Sequence, residues 1–138
     1  MDKVRVCIVG MGIGRANGRS IMKDPRGEVV ALCDIIPERM YDFAKEIPHE
    51  VKYYIDYTEM VKDPEIDAVF VGTPNQLHVP VALEALRHDK HVMVTKPLAS
   101  SLDEAKEVVE VAEKSGLVNM MSLGMRFSNV VQYLGKLR

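Results

Sequence analysis

Six short runs rich in β-branched and apolar residues recur along the chain, each followed by a segment of helical length or a helical turn. The runs are Val4–Val9, Glu28–Cys33, Val51–Tyr54, Ala68–Val71, His91–Val94 and Val118–Met121. The intervening segments predict helices over Arg15–Lys23, Pro37–Glu46, Tyr57–Lys62 and Val79–His88, one between Ser101 and Gly116, and a last one starting near Asn129. Strands separated by helical crossovers pair in parallel, because a tight hairpin cannot reverse the chain between them. The runs are apolar almost throughout instead of alternating, as required when helices cover both faces of the sheet. The predicted fold is therefore an α/β, doubly wound parallel sheet of the Rossmann type, its six strands in the order 3-2-1-4-5-6. At 138 residues the chain has the size of one domain and can bury a single core.

Local signals agree with this division. Asp24-Pro25-Arg26-Gly27 is a turn cluster that closes the first helix. Pro37 suits the first position of a helix, with Glu38 near its positive end. Ser101-Leu102-Asp103-Glu104 reads as a capping box, and Gly116 ends the helix it opens. Leu102, Ala105, Val108, Val109 and Ala112 form the expected apolar face of that helix.

Charge and composition narrow the partners. A net charge of -2 with both signs mixed along the sequence argues against nucleic acid or an anionic membrane surface. Cys7 and Cys33 lie inside apolar runs and read as buried thiols of a reduced protein, and their spacing fits no metal site. The first strand begins within three residues of the N-terminus, which argues against a signal peptide, and no apolar stretch reaches the ~20 residues of a membrane helix. These features place the expected protein in the cytoplasm.

The chemistry sits at strand ends. Gly10-Met11-Gly12-Ile13-Gly14 lies between the first strand and the first helix, where glycines permit a tight turn and let backbone N–H groups approach a pyrophosphate. The usual spacing puts a third glycine at position 15; here that residue is Arg15 and Gly14 comes one place early, so the packing role of the third glycine passes to Gly14. Asp34 ends the second strand 20 residues past Gly14, where a carboxylate accepts hydrogen bonds from the adenosine ribose of NAD and repels the 2′-phosphate of NADP. Ile35 after it is an apolar surface for adenine, whereas Arg39, one turn on, leaves NADP open. The plainer alternative is that Asp34 only caps the next helix.

Three further segments follow strands four, five and six: Gly72-Thr73-Pro74-Asn75 with His78, Thr95-Lys96-Pro97, and Met125-Arg126-Phe127. The run from Asp67 to His78, with Ala82, Ala85-Leu86, His91-Val92 and Lys96-Pro97, resembles the Gfo/Idh/MocA family of sugar and inositol oxidoreductases. Gly10, Gly12, Asp34 with Pro37-Glu38-Arg39, and Arg126-Phe127 match it as well, so the resemblance covers essentially the whole chain. It implies an N-terminal domain that binds NAD or NADP, with NAD favoured, and hydride transfer on a sugar, cyclitol or related alcohol. It also implies that Thr73, Pro74, Asn75 and His78 line the nicotinamide-ribose side of the cleft, and that Lys96 is the active-site lysine. The family pattern there is Glu-Lys-Pro; Thr95 replaces the Glu and removes a carboxylate that in the family reaches the nicotinamide ribose. The Lys96–Pro97 bond is expected to be cis, as it often is in that family. Residues 1–125 would form the Rossmann domain and 126–138 the start of a connection to a C-terminal substrate domain, through whose sheet the family associates.

Alternatives at the level of single residues remain. Lys96-Pro97 also reads as a surface turn, and His78 as a helix cap or a residue packed beside its loop. At the level of the chain there are two readings: a dehydrogenase domain inactive without its second half, and a stand-alone dinucleotide sensor or scaffold. The length of the reading frame beyond Arg138 separates them.

Overall fold

In the computed structural model, which describes residues 3–137, six strands form one parallel sheet in the order β3-β2-β1-β4-β5-β6. The strands are β1 (Val4–Val9), β2 (Gly27–Cys33), β3 (Lys52–Tyr54), β4 (Ala68–Val71), β5 (His91–Thr95) and β6 (Asn119–Ser122). The helices are α1 (Gly14–Met22), α2 (Pro37–Ala44), α3 (Tyr57–Met60), α4 (His78–Arg87), α5 (Leu102–Ser115) and α6 (Asn129–Gly135). Short 3-10 turns precede α4 at Asn75–Leu77 and α6 at Gly124–Phe127. The strand order is the expected one, and it reverses direction between β1 and β4.

Each face of the sheet has its own core. Cys7, Val9, Val69, Val71, Val92 and Val94 point to one face, against Val81, Ala82, Ala85 and Leu86 of α4 and Val108 of α5. Ile8, Val29, Leu32 and Phe70 point to the other, against Met40 and Phe43 of α2. The alternation follows from the two-residue period of a strand, broken once. Opposite Val6 and Cys7 of β1, β2 pairs through Val29 and Ala31, so Val30 is an inserted residue and the side-chain parity of β2 switches there.

Helix boundaries depart from the sequence reading by one or two residues, for local reasons. α2 stops at Ala44 instead of Glu46 because Glu46 and Ile47 donate to Phe43 and Ala44 in i−3 bonds that tighten the last turn. α5 keeps its capping box with a variation. Ser101 Oγ accepts from the Glu104 amide, while the Glu104 carboxylate accepts from Ser100 instead of Ser101. Its buried face is Val108 with half-buried Val111 and Ala112, and the expected Leu102 and Val109 are exposed. Only the former three, at i, i+3 and i+4, join the core cluster. Gly116 ends α5 at φ +68°.

Among the described residues, no helix is long and apolar enough to cross a membrane. α6 leaves Val130, Tyr133 and Leu134 exposed.

Candidate functional site

The reversal of strand order opens a crevice at the carboxyl ends of β1 and β4, where ligands of open α/β sheets bind. The cavity there has a volume of about 460 Å³. Of the residues selected from sequence, it brings together Gly10, Met11, Gly12, Ile13, Asp34, Ile35, Thr73 and Pro74. Val9, Cys33, Arg39, Ile55, Tyr57, Gly72 and Leu77 complete its wall. Ile55 and Tyr57 had a legible signal, since they leave the third strand on the same rim as Asp34. Gly72 did too, as the residue directly after β4 at the reversal.

The floor is made of close-packed backbone. Gly10 has φ +87°, and a Cβ on it would stand 2.6 Å from the Gly72 carbonyl oxygen. Only glycine satisfies both the dihedral and the approach. A Cβ on Gly14 already meets Ile8 Cγ2 at 2.7 Å, so Gly14 supplies the close helix–strand contact despite its early position. At Gly12 a Cβ would meet nothing within 4 Å; the residue faces open space.

The start of α1 is left without internal partners. Its N-cap, Ile13, provides no side-chain bond, and no acidic residue occupies the first turn. Among the described residues the amides of Gly12 and Ile13 donate to no other group. A helix start with free N–H groups and uncancelled positive dipole is suited to an anion. Arg15, in that first turn, is turned away: its guanidinium donates to Asp42 at 3.0 Å and to the Arg39 carbonyl at 3.1 Å.

Asp34 is buried at the end of β2 and does more than either sequence alternative proposed. Oδ2 accepts from the Met11 amide at 2.7 Å, and Oδ1 accepts from the Ile36 amide at 3.0 Å. The first bond fixes the glycine loop to β2; the second shapes the turn before α2, whose N-cap is Ile36. The Met11 amide is therefore committed to Asp34, and the phosphate cradle narrows to the residues after it. A carboxylate oxygen accepts more than one bond, so Asp34 retains capacity toward the cleft it lines. Burial first, then the charges of Asp34 and Asp56, push the Cys33 thiol up to about 12.

Thr73 and Pro74 line the cavity, but Asn75, Thr95, Lys96 and Pro97 do not. They lie on the adjoining rim, where β5 pairs with β4 through Val94 and Val71. Lys96 is exposed, and its bond to Pro97 is cis. His78 does not face the cleft. It is fully buried, with Nδ1 2.6 Å from the Pro97 carbonyl oxygen and Nε2 2.9 Å from that of Thr73. The reason is its place as the first residue of α4, which turns the ring under the loops.

The residues present fit a dinucleotide. The Thr73 hydroxyl is buried without a hydrogen-bond partner, on a residue of the cavity wall. Beside it stand an open glycine at position 12 and an uncapped helix start, so this part of the crevice offers polar groups without partners among the described residues.

These features define a nucleotide-binding α/β domain. Residues 4–123 match the profile of the oxidoreductase family with an NAD-binding Rossmann fold, GFO_IDH_MocA, and the chain belongs to that family. An inositol 2-dehydrogenase of Salmonella paratyphi B is 35% identical over 111 residues, covering 79% of this chain and 33% of that protein. The crystal structure of apo scyllo-inositol dehydrogenase from Lactobacillus casei superposes with a TM-score of 0.89 at 26% identity, covering 99% of this chain and 41% of that one. Biliverdin reductase from Synechocystis, solved with biliverdin and NADP+, gives 0.88 at 28% identity over 96% of this chain and 42% of that one. The chain thus spans about a third of the length of the curated relatives it matches.

Proposed function

We propose that this chain is the cofactor-binding domain of a dehydrogenase that transfers hydride between NAD(H) and a sugar, cyclitol or related alcohol. The observation that carries the reading is the uncapped start of α1 opposite the buried Asp34, both on one cavity at the reversal of the sheet. The amides of Gly12, Ile13 and Gly14 would hold the pyrophosphate, and the remaining lone pairs of Asp34 the adenosine ribose. Ile35, Ile55 and Tyr57 offer apolar surface at that end. The Asp34 carboxylate on the cavity wall favours NAD over NADP, whose extra phosphate it would repel, although Arg39 stands on the same wall.

A bound nicotinamide would supply the hydride donor or acceptor. The chain's own contribution is Lys96: an exposed ammonium on the adjoining rim stabilises negative charge developing on the substrate oxygen and takes part in moving its proton. The inositol dehydrogenases among the relatives support an alcohol of the cyclitol class. We read residues 126–138 as the start of a connection to a substrate domain, and expect the 138-residue chain alone to bind dinucleotide without brisk turnover. An oligomer through that further domain and a cytoplasmic location complete the reading.

Titration of the chain with NADH, NADPH and AMP, followed by calorimetry, tests it. NADH should bind at least about tenfold more tightly than NADPH, a difference of ~1.4 kcal/mol. No binding of either dinucleotide refutes the reading, and tighter binding of NADPH refutes the role given to Asp34.

A further inference from the structure

His78 is the least exposed of the buried polar side chains, yet it does not line the cofactor cleft. Its two ring nitrogens stand against carbonyl oxygens of two separate loops, Thr73 after β4 and Pro97 after β5. A carbonyl only accepts, so whichever ring nitrogen carries the proton donates to the loop it faces, and the ring sits wedged between the two loops with a nitrogen against each. Among the described residues, no other side-chain hydrogen bond joins these loops. Each loop carries a polar group at or beside the cleft: the unpartnered Thr73 hydroxyl on its wall, and Lys96, next to Pro97, on the adjoining rim. His78 opens α4, whose Val79, Val81 and Ala82 belong to the apolar core, and an aliphatic side chain there would bury without the cost of desolvating an imidazole. The polar ring in that place serves direction.

We propose that His78 is a positioning residue that ties the Thr73 turn to the Lys96–Pro97 turn, and so sets the nicotinamide end of the cleft and the placement of Lys96. This rests on the dinucleotide reading. It goes further in assigning a buried residue outside the cleft to one half of the ligand. The adenosine and pyrophosphate contacts come from β1, α1 and β2, whereas both polar contacts of His78 are to the loops after β4 and β5, so its effect falls on the other half.

The test compares NADH, which spans the whole cleft, with ADP, which carries only the adenosine and diphosphate. His78→Leu removes both polar contacts; His78→Asn places an amide nitrogen near the position of Nδ1, and His78→Gln near that of Nε2. In His78→Leu the Kd for NADH should rise about tenfold, the order of one lost hydrogen-bonded restraint, while that for ADP changes by less than about twofold. Each amide variant should recover part of the NADH affinity. The ratio of the two Kd values is the readout, because a reduced fraction of competent protein raises both equally and cancels. Should His78→Leu not fold, the amide variants carry the same ratio and decide the question. A ratio equal to the wild-type value in every variant overturns the positioning role while leaving the cofactor reading intact. A wild-type chain that binds neither ligand overturns both.

Discussion

Replacing Gly10 and Gly12 in turn by alanine separates the two duties of the glycine loop. At Gly10 the backbone holds φ +87°, a region that costs an L-residue about 1–2 kcal/mol. The new Cβ would also stand 2.6 Å from the Gly72 carbonyl oxygen and 2.7 Å from its carbon, which are backbone atoms of the neighbouring strand end. Relieving that overlap adds about 1–3 kcal/mol, by analogy with overpacked cores. The sum, ~2–5 kcal/mol, is a large part of the ~5–15 kcal/mol that holds a typical domain together. With an m-value of about 1–3 kcal/mol/M, the urea midpoint of Gly10→Ala should fall by on the order of 1–3 M. Gly12→Ala is the opposite case. Its Cβ meets nothing within 4 Å and its φ is not positive, so stability should hold or rise by about 0.4–1 kcal/mol through reduced freedom of the unfolded chain. The same methyl group occupies the open side of the cleft, and NADH affinity should fall at least about tenfold, the effect of losing ~1.4 kcal/mol. Urea melts followed by tryptophan-free optical probes such as circular dichroism, paired with NADH titration, give both quantities. An unchanged midpoint in Gly10→Ala, or wild-type NADH affinity in Gly12→Ala, refutes the reasoning.

Other outcomes follow from groups outside the loop. Burial pushes the Asp63 carboxyl up, but hydrogen bonds from Lys52, Tyr54 and the Glu65 amide outweigh it and hold it at about 2, below its ordinary 3.8. A carboxyl lowered on folding stabilises above its unfolded value and loses that stabilisation as pH falls towards 2. Asp63→Asn should therefore flatten the stability–pH curve between about pH 4 and 2 by ~2 kcal/mol, measured by thermal melts across that range. Burial raises both thiols, Cys7 well above its usual value and Cys33 to about 12. Ellman's reagent at pH 8 should leave both unreacted in the native chain and titrate both in urea; rapid reaction of either without denaturant contradicts the burial. Gly18 of α1 lies so close to α2 that a Cβ would meet Phe43 Cζ at 2.7 Å. Gly18→Ala should cost about 1–3 kcal/mol in a urea melt with dinucleotide affinity per folded molecule unchanged.

Strand order, parallel pairing and the place of the cleft were legible before any coordinates, because apolar periodicity and crossover length are local properties of the chain. The glycine loop and Asp34 were legible for the same reason: a turn after one strand and an acid after the next lie at fixed offsets. What each group touches was decided by packing across the sheet. Asp34 turned out to hold the Met11 amide 23 residues away, a bond that exists only because β1 and β2 are neighbours. His78, read either as a wall of the cleft or as packed beside its loop, is buried against the carbonyls of two loops, since the orientation of a helix's first residue depends on which loops meet above it. Leu102 and Val109 were placed inward by their apolar character, yet the way α5 packs, chiefly against α4, buries Val108 and half-buries Val111 and Ala112. Sequence thus determined the architecture and which rim carries the chemistry. Tertiary contact alone decided which polar atoms remain free for a ligand, because that depends on partners brought together from distant parts of the chain.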